Sequence, residues 1–171
     1  YHIMEDVYVE ATINDRLIRI NKNDSMDIYI WRDYYIKTPK WVKKKPTLTT
    51  DKKTGYKKYI MGINDKTCRL SRIVYKAHNN DWDITDTSDN NFIDHINNNS
   101  LDNRIENLRI LTHQQNQFNT KAKGYSWCNR DKIWKAEIKL DYVKIYLGSF
   151  KEEADAKNAY LEAKEKYHII A

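Results

Sequence analysis

The chain has 171 residues and a net charge of +6, which leaves room for one ordinary domain or two small ones. Hydrophobic residues make up 40% of it, enough to build cores, but no apolar run reaches the roughly 18–20 residues that a membrane span needs. Cys68 and Cys128 form no Cys-x-x-Cys pair and no secretion signal is visible, so we expect an intracellular protein without disulfides or a cysteine zinc site.

Positive charge is concentrated in one part of the chain. Residues 37–76 carry 13 basic and 2 acidic side chains, for a local charge of +11, whereas residues 77–94 hold five Asp and no Lys or Arg. A block of this kind is typical of a surface that binds a polyanion. A solvated lysine-rich loop is the alternative.

The first part of the chain predicts short strands. Residues 1–45 alternate apolar and polar residues, with turn residues at 21–25. We interpret them as an N-terminal extension and a candidate DNA contact. The segment 56–70 predicts a hairpin that turns at Asn64.

Two helices carry capping signals. Ser71 stands where a cap is expected, so a helix should follow it through Ala77. Thr112 and Gln115 match a capping box, which predicts that a second helix starts at Thr112. The residues in front of that helix, 92–111, predict a strand, a polar loop and a returning strand.

Four polar side chains in this strand, loop, strand and helix can serve one reaction. Hydrolysis of a phosphodiester needs a base for the attacking water, which the imidazole of His95 can provide. It also needs a divalent cation, for which Asp94 and Asn116 offer oxygen ligands. The amide of Asn107 could hold His95 in one tautomer. A surface Asp-His pair among ordinary Asn-rich turns is the alternative interpretation.

The order of these residues resembles the HNH homing endonucleases of phages and large DNA viruses. The likeness rests on Asp94-His95, on Asn107 twelve residues after His95, and on Asn116 nine residues further. It implies a ββα-metal fold in which Asp94 and Asn116 bind one divalent ion, His95 is the general base and Asn107 orients it. Because Asn116 stands in place of the usual third His, the ligands are oxygens alone, which favours Mg²⁺ or Mn²⁺ over Zn²⁺.

The C-terminal part of the chain predicts a different small fold. Three alternating segments between residues 123 and 147 predict a three-stranded antiparallel meander, with a turn at Asp141-Tyr142, and residues 151–167 predict a helix. Alanines at helical spacing allow that helix to lie close across the sheet: Ala154, Ala159 and Ala163.

This part resembles the Apetala or ethylene-response-factor DNA-binding domain. The matching residues are Gly124, Trp134, Ala136-Glu137-Ile138, Leu147-Gly148, Phe150, Glu153-Ala154 and Ala159-Tyr160. The likeness implies a sheet that lies in the DNA major groove with the helix behind it. Period-two alternation puts Lys135, Glu137 and Lys139 on the face away from the helix.

The sequence therefore predicts an α+β protein, in which a ββα-metal (HNH) nuclease module precedes a three-stranded antiparallel sheet packed on one helix. The expected segments are 1–45, 46–120 and 121–171. The expected function is Mg²⁺- or Mn²⁺-dependent hydrolysis of double-stranded DNA by a monomer that contacts no membrane. A catalytically silent DNA-binding regulator and an RNA-directed binder are the alternatives. The expected DNA contacts are Lys43, Lys44, Lys45, Lys57, Lys58, Arg72, Lys135, Glu137, Lys139, Lys144 and Tyr146.

Overall fold

The structure is a computed structural model that describes residues 7–33, 38–118, 123–140 and 143–168. It is a mixed α/β protein with several small sheets and few helices. The chain divides into two compact units, Tyr1–Ile110 and Leu111–Ala171. Within the described residues, no helix is both long enough and apolar enough to cross a bilayer.

The first unit begins with strands, and its described residues include a helix of nine residues. A four-stranded sheet has the order β1-β2-β3-β4, a three-stranded sheet has the order β5-β6-β7, and β8 pairs with β9. A 3-10 turn, Ile105–Asn107, precedes the last strand. The elements are β1 (Tyr8–Ile13), β2 (Arg16–Asn21), β3 (Asp24–Arg32), β4 (Lys40–Lys44), β5 (Thr47–Thr50), β6 (Lys57–Ile63), β7 (Lys66–Arg69), α1 (Leu70–His78), β8 (Phe92–His95) and β9 (Leu108–Leu111).

One apolar core joins the first sheet, the second sheet and α1. Alternate residues of β2 and β3 are fully buried, as the period of two requires for a sheet with one face inward. Their partners across the core come from β6 and from the apolar stripe of α1. The buried members are Ala11, Ile13, Ile18, Ile20, Ile28, Ile30, Met61, Ile63, Leu70, Ile73, Val74, Ala77 and Leu108.

The local predictions for this unit are partly confirmed. Strands β6 and β7 form the expected hairpin, and Asn64 adopts a φ of 52° at its turn. The prediction that Ser71 caps the helix is wrong, because α1 begins at Leu70 and its N-cap residue is Arg69. Leu70 is completely buried and starts the apolar stripe of the helix, so the helix begins earlier than the Ser signal indicates.

The second unit combines helices with a three-stranded antiparallel sheet. Its described elements are α2 (His113–Phe118), β10 (Tyr125–Cys128), β11 (Ile133–Leu140), β12 (Val143–Phe150) and α3 (Glu153–Tyr167), and the sheet order is β10-β11-β12. The predicted turn at Asp141-Tyr142 lies outside the described residues.

The capping box in front of α2 is confirmed. The Gln115 amide N–H donates to Thr112 Oγ1, and the Thr112 amide N–H donates to Gln115 Oε1, each at 3.1 Å. At the other end of α2, the ring of Phe118 stacks on the ring of His168, with centroids 3.9 Å apart. His168 in turn bonds to the backbone carbonyl of Lys139 on β11.

Helix α3 packs on the sheet through one face. Its buried residues are Ala156, Tyr160 and Ala163. Ala163 was expected on this face, but the expectation for Ala154 is wrong, since Ala154 is exposed. Positions 156, 160 and 163 share a stripe at 3.6 residues per turn. Gly124 lies against the Tyr160 ring so closely that an added Cβ would stand 2.0 Å from it, and its φ is +67°.

Candidate functional site

The end of β8 and the loop that follows it carry the predicted catalytic residues of the first unit. Asp94 and His95 are the last two residues of β8, and the chain then turns through Asn98, which has a φ of 58°. Asn98 donates its backbone N–H to the carbonyl of His95 at 2.8 Å. This tight turn fixes the backbone that follows His95.

Asp94 is held in an ion pair with a neighbouring strand. Its Oδ2 accepts from Nε of Arg109 on β9 at 2.9 Å, and the Asp94 side chain is only 8% exposed. A carboxylate buried to this extent needs a charged partner, and Arg109 provides it. Arg109 lies two residues after Asn107, but nothing in the sequence alone indicates this pairing.

His95 contacts an asparagine that the sequence did not single out. His95 Nε2 lies 3.2 Å from Oδ1 of Asn103, and Asn103 Nδ2 donates to the carbonyl of Leu101. With the Asn103 amide oriented in this way, a neutral imidazole donates from Nε2–H and carries its lone pair on Nδ1. Asn103 is buried. It follows several asparagines typical of turns, and no sequence signal separates it from them.

Asn107 closes the loop between the two strands. Its Oδ1 accepts the backbone N–H of Asn97 at 3.0 Å. Its Nδ2 donates to Asn97 Oδ1 at 3.0 Å and to the carbonyl of Asp102 at 2.8 Å, and its own carbonyl accepts from the N–H of Ile96 at 3.0 Å. Asn107 therefore ties together both ends of the loop that carries His95 and Asn103.

An ion pair stabilises the outer part of the same loop. Arg104 donates from Nε and Nη2 to the two oxygens of Asp102, at 2.9 and 2.8 Å, and Asn97 Nδ2 donates to Asp102 Oδ2 at 2.9 Å. These donors, with Arg104 first, lower the pKa of Asp102 to about 2. The carboxylate is thus part of the loop's structure over almost the whole pH range.

His95 opens into a small cleft with a basic wall. Its lining residues come from the strands β6, β7 and β8, from the start of α1 and from the loop after β8. No Asp or Glu is among its lining residues, which are Tyr56, Lys58, Tyr59, Arg69, Ser71, Ile93, His95, Ser100 and Asn103. A polar cleft that combines an imidazole with lysine and arginine suits an anionic substrate.

The second predicted metal ligand lies in the other unit. Asn116 is on α2, where its backbone N–H donates to the carbonyl of Thr112. Its partnership with Asp94 stays a prediction. Within residues 7–33, 38–118, 123–140 and 143–168, no three His, Cys, Asp or Glu side chains are grouped as a metal site. The proposed site differs from such a cluster because the protein would supply only one carboxylate and one amide oxygen. Water or substrate oxygens would then complete the coordination of the ion.

The expected DNA contacts of the basic block lie in different surroundings. Lys45 and Lys57 are exposed, and Lys44 and Lys58 are half-buried. Lys43 is exposed but pairs with Asp27, whose Oδ1 lies 2.7 Å from Nζ.

Arg72 differs from these lysines because its guanidinium is bonded to backbone carbonyls of the protein. Its Nη1 and Nη2 donate to the backbone carbonyls of Asn91, Ile84 and Asp86, and its guanidinium lies 4.7 Å from the ring centroid of Trp82. Burial lowers the pKa of Arg72, and the nearby charge of Arg69 adds to this effect. Arg72 therefore holds the acidic loop after α1 in place.

The expected contacts on the C-terminal sheet share one face. On β11 and β12, Glu137 is opposite Tyr146, and Lys139 is opposite Lys144. All four are exposed, whereas the intervening Ala136 and Ile138 are buried under α3, as the alternation predicts. Lys144 pairs with Glu137 at 2.6 Å, and Lys135 with Asp131 at 2.5 Å. The face is thus accessible, with part of its positive charge already balanced.

Comparison with known proteins identifies one family within this region. Residues 68–118 match the model of a family described as HNH endonuclease. The matched range runs from β7 to α2 and contains all four predicted nuclease residues. The match supports an HNH endonuclease domain at residues 68–118, and this family suggests nuclease activity. No curated protein and no solved structure shows significant similarity to the chain.

Proposed function

We propose that this protein is a metal-dependent DNA endonuclease of the homing type that hydrolyses phosphodiester bonds in double-stranded DNA. The observation that carries the proposal is the setting of His95. It ends β8, contacts Asn103 through Nε2 and opens into a cleft lined by Lys58 and Arg69. Of these residues, His95, Asn103 and Arg69 lie within the range that matches the HNH endonuclease family, and Lys58 lies before it.

His95 acts as the general base in this proposal. Because Asn103 accepts a hydrogen bond from Nε2–H, the basic lone pair of the neutral imidazole is on Nδ1. Nδ1 then takes the proton from the water that attacks phosphorus. Asn107 acts on His95 indirectly, by fixing the loop in which Asn103 lies. This differs from the direct contact that the family resemblance implies.

A divalent cation, Mg²⁺ or Mn²⁺, fits the chemistry of the available ligands. Asp94 and Asn116 would hold it through a carboxylate and an amide oxygen, the donors that hard cations prefer. Arg109 already offsets part of the charge of Asp94, and their ion pair orients this carboxylate. When bound, such an ion supplies positive charge against the growing negative charge of the reacting phosphate.

Binding of DNA is assigned to the two basic regions rather than to the catalytic loop. The block at residues 37–76 has a local charge of +11, and residues 121–148 hold 7 basic and 3 acidic side chains, for +4. The exposed face of β11 and β12 is the proposed groove contact. We propose an intracellular monomer in which this second unit directs the nuclease to its DNA.

The experiment is a plasmid-nicking assay with the full chain, with Mg²⁺, with Mn²⁺ and in EDTA. We expect nicks or linear product with either metal and none in EDTA. His95→Ala should lose this activity but retain its DNA affinity, measured by fluorescence anisotropy, and its thermal melting temperature.

Two results would contradict the proposal. Full activity of His95→Ala would remove His95 as the base, and undiminished cleavage in EDTA would remove the metal. DNA binding without any nicking by the wild-type chain would instead indicate a DNA-binding regulator. Preferential binding of RNA would indicate the other alternative.

A further inference from the structure

We propose that the start of α1 is a binding site for a phosphate group of the DNA backbone, formed by Arg69, Lys58 and Ser71 in the cleft that His95 lines. No family match or sequence motif assigns this role to Arg69 or Ser71. The inference rests on the proposed nuclease function for the identity of the ligand, since it places a phosphate of the bound strand beside His95.

The N-terminus of α1 is open to an anion. Its N-cap residue, Arg69, makes no side-chain capping hydrogen bond, and the first turn contains no acidic residue. The backbone N–H groups of the first turn therefore lack the usual side-chain acceptor, and the helix dipole adds positive potential there. Helix N-termini of this kind bind phosphate groups through their N–H groups.

Ser71 provides an independent indication of a ligand. It lies in the first turn of α1, is only 7% exposed, and makes no hydrogen bond with its hydroxyl to any described residue. A residue that is more than nine-tenths buried usually has a partner for its polar side chain, because burial of a polar group without one is unfavourable. Ser71 also lines the same cleft as His95. A phosphate oxygen in the cleft would give its hydroxyl an acceptor.

Two cations line the cleft without a direct ion pair in the described residues, and the charge of Lys58 also acts on Asp51. Within the described part of the chain, neither the Lys58 nor the Arg69 side chain makes a hydrogen bond or an ion pair, and the cleft is lined by no acidic residue. Lys58 is half-buried. The charge of Arg69 also contributes to lowering the pKa of Arg72, as expected for two guanidinium groups close together. An anion at this place would reduce that repulsion.

The donors at the cleft suit the oxygens of a tetrahedral phosphate group. Its several oxygens can accept at once from a guanidinium, an ammonium, a hydroxyl and backbone N–H groups. A phosphodiester in DNA and free inorganic phosphate offer the same oxygens. We assign the site to the diester because the cleft is shared with His95 and adjoins a block of strong positive charge.

The test follows the backbone amide signals of residues 70–72 by NMR in the full chain, with His95→Ala present so that DNA stays intact. One titration uses inorganic phosphate, with sodium chloride at matched ionic strength as the reference. The second uses a short DNA duplex. We expect both phosphate and duplex to shift the Ser71 and Arg72 amides, and chloride to leave them in place.

Variants then identify the side chains. Arg69→Gln should weaken phosphate binding about tenfold, the effect expected from removing one charge-assisted hydrogen bond. Ser71→Ala should weaken it less. Lys66→Gln is the matched control, because Lys66 is an exposed cation on the same strand, β7, and lies outside the cleft. Its affinity for phosphate should equal that of the parent.

Each alternative outcome has a definite meaning. Unshifted amides at residues 70–72 in both titrations would overturn the site. A response to inorganic phosphate but not to bound duplex would overturn its assignment to the DNA backbone. Equal weakening by Arg69→Gln and Lys66→Gln would show general charge attraction and no built site. None of these results depends on cleavage, so a failure of the nuclease proposal in the nicking assay is separately visible.

Discussion

Arg109 and Asp94 face each other across β8 and β9, the two strands on either side of the loop that follows His95, with Nε and Oδ2 2.9 Å apart. Both side chains are largely withdrawn from solvent, at 28% and 8% exposure. The pair joins the end of β8 to β9 and holds the carboxylate that we propose as a metal ligand. Stability and ligand orientation in this unit therefore depend on the same contact.

Arg109→Ala should lower the free energy of unfolding by about 2 kcal/mol, because it leaves a buried carboxylate without its charged hydrogen-bond donor. Urea denaturation followed by tryptophan fluorescence measures the change. Arg130→Ala is the control, since Arg130 is 87% exposed in its pair with Asp131 and such surface pairs contribute roughly 1 kcal/mol at most. Equal effects of the two substitutions would contradict a structural role for the Arg109 pair.

The second prediction concerns Asn103, which we propose as a positioning residue for the imidazole of His95. Asn103→Ala should reduce the single-turnover cleavage rate by about tenfold or more with DNA affinity unchanged, because the imidazole loses the acceptor that fixes its tautomer. Asn103→Asp restores an acceptor but adds a negative charge that favours the imidazolium over the neutral imidazole. As the pH is lowered, the cleavage rate of this variant should therefore begin to fall at a higher pH than the rate of the wild type. Identical pH profiles for Asn103→Asp and the wild type would argue that residue 103 does not act on His95.

Sequence patterns were informative wherever a local interaction decides the structure. The Thr112–Gln115 box is a contact within one turn, and it predicted the start of α2 correctly. Ser71 gave a local signal too, but the complete burial of Leu70, which depends on residues far along the chain, set the start of α1. Long-range contacts such as Arg109 with Asp94 leave no mark in a single sequence.

The same limit applies to the asparagines of the loop between β8 and β9. Asn107 was selected by its spacing from His95, and the structure uses it to close the loop. Asn103 has the same side chain, but its burial and its contact with His95 arise only when the loop is folded. The identity of the proposed catalytic His was therefore accessible from sequence, whereas the residue beside it was not.

The next prediction concerns the Asp102–Arg104 pair and the dependence of folding stability on pH. The pKa of Asp102 is lowered from 3.8 to about 2 in the folded protein, so its contribution to stability is present above pH 4 and is lost as the pH falls towards 2. Asp102→Asn cannot ionise, and the difference in melting temperature between it and the wild type should shrink over that interval. A difference that stays constant from pH 5 to pH 2 would show that Asp102 is not held by Arg104 in solution.

The last prediction concerns the exposed face of β11 and β12. Lys139→Ala combined with Lys144→Ala should weaken DNA binding and reduce the slope of log affinity against log salt, by about 0.9 for each phosphate that is no longer neutralised. Because Lys144 already pairs with Glu137 at 2.6 Å, the reduction should fall between about 0.9 and 1.8. The charge-matched control is Lys157→Ala with Lys166→Ala, two exposed lysines on α3, which packs on the other face of the sheet. Single-turnover cleavage at saturating DNA should be unchanged in both double variants, since neither alters the loop that carries His95. If the control weakens binding as much as the sheet variant does, DNA does not lie on this face.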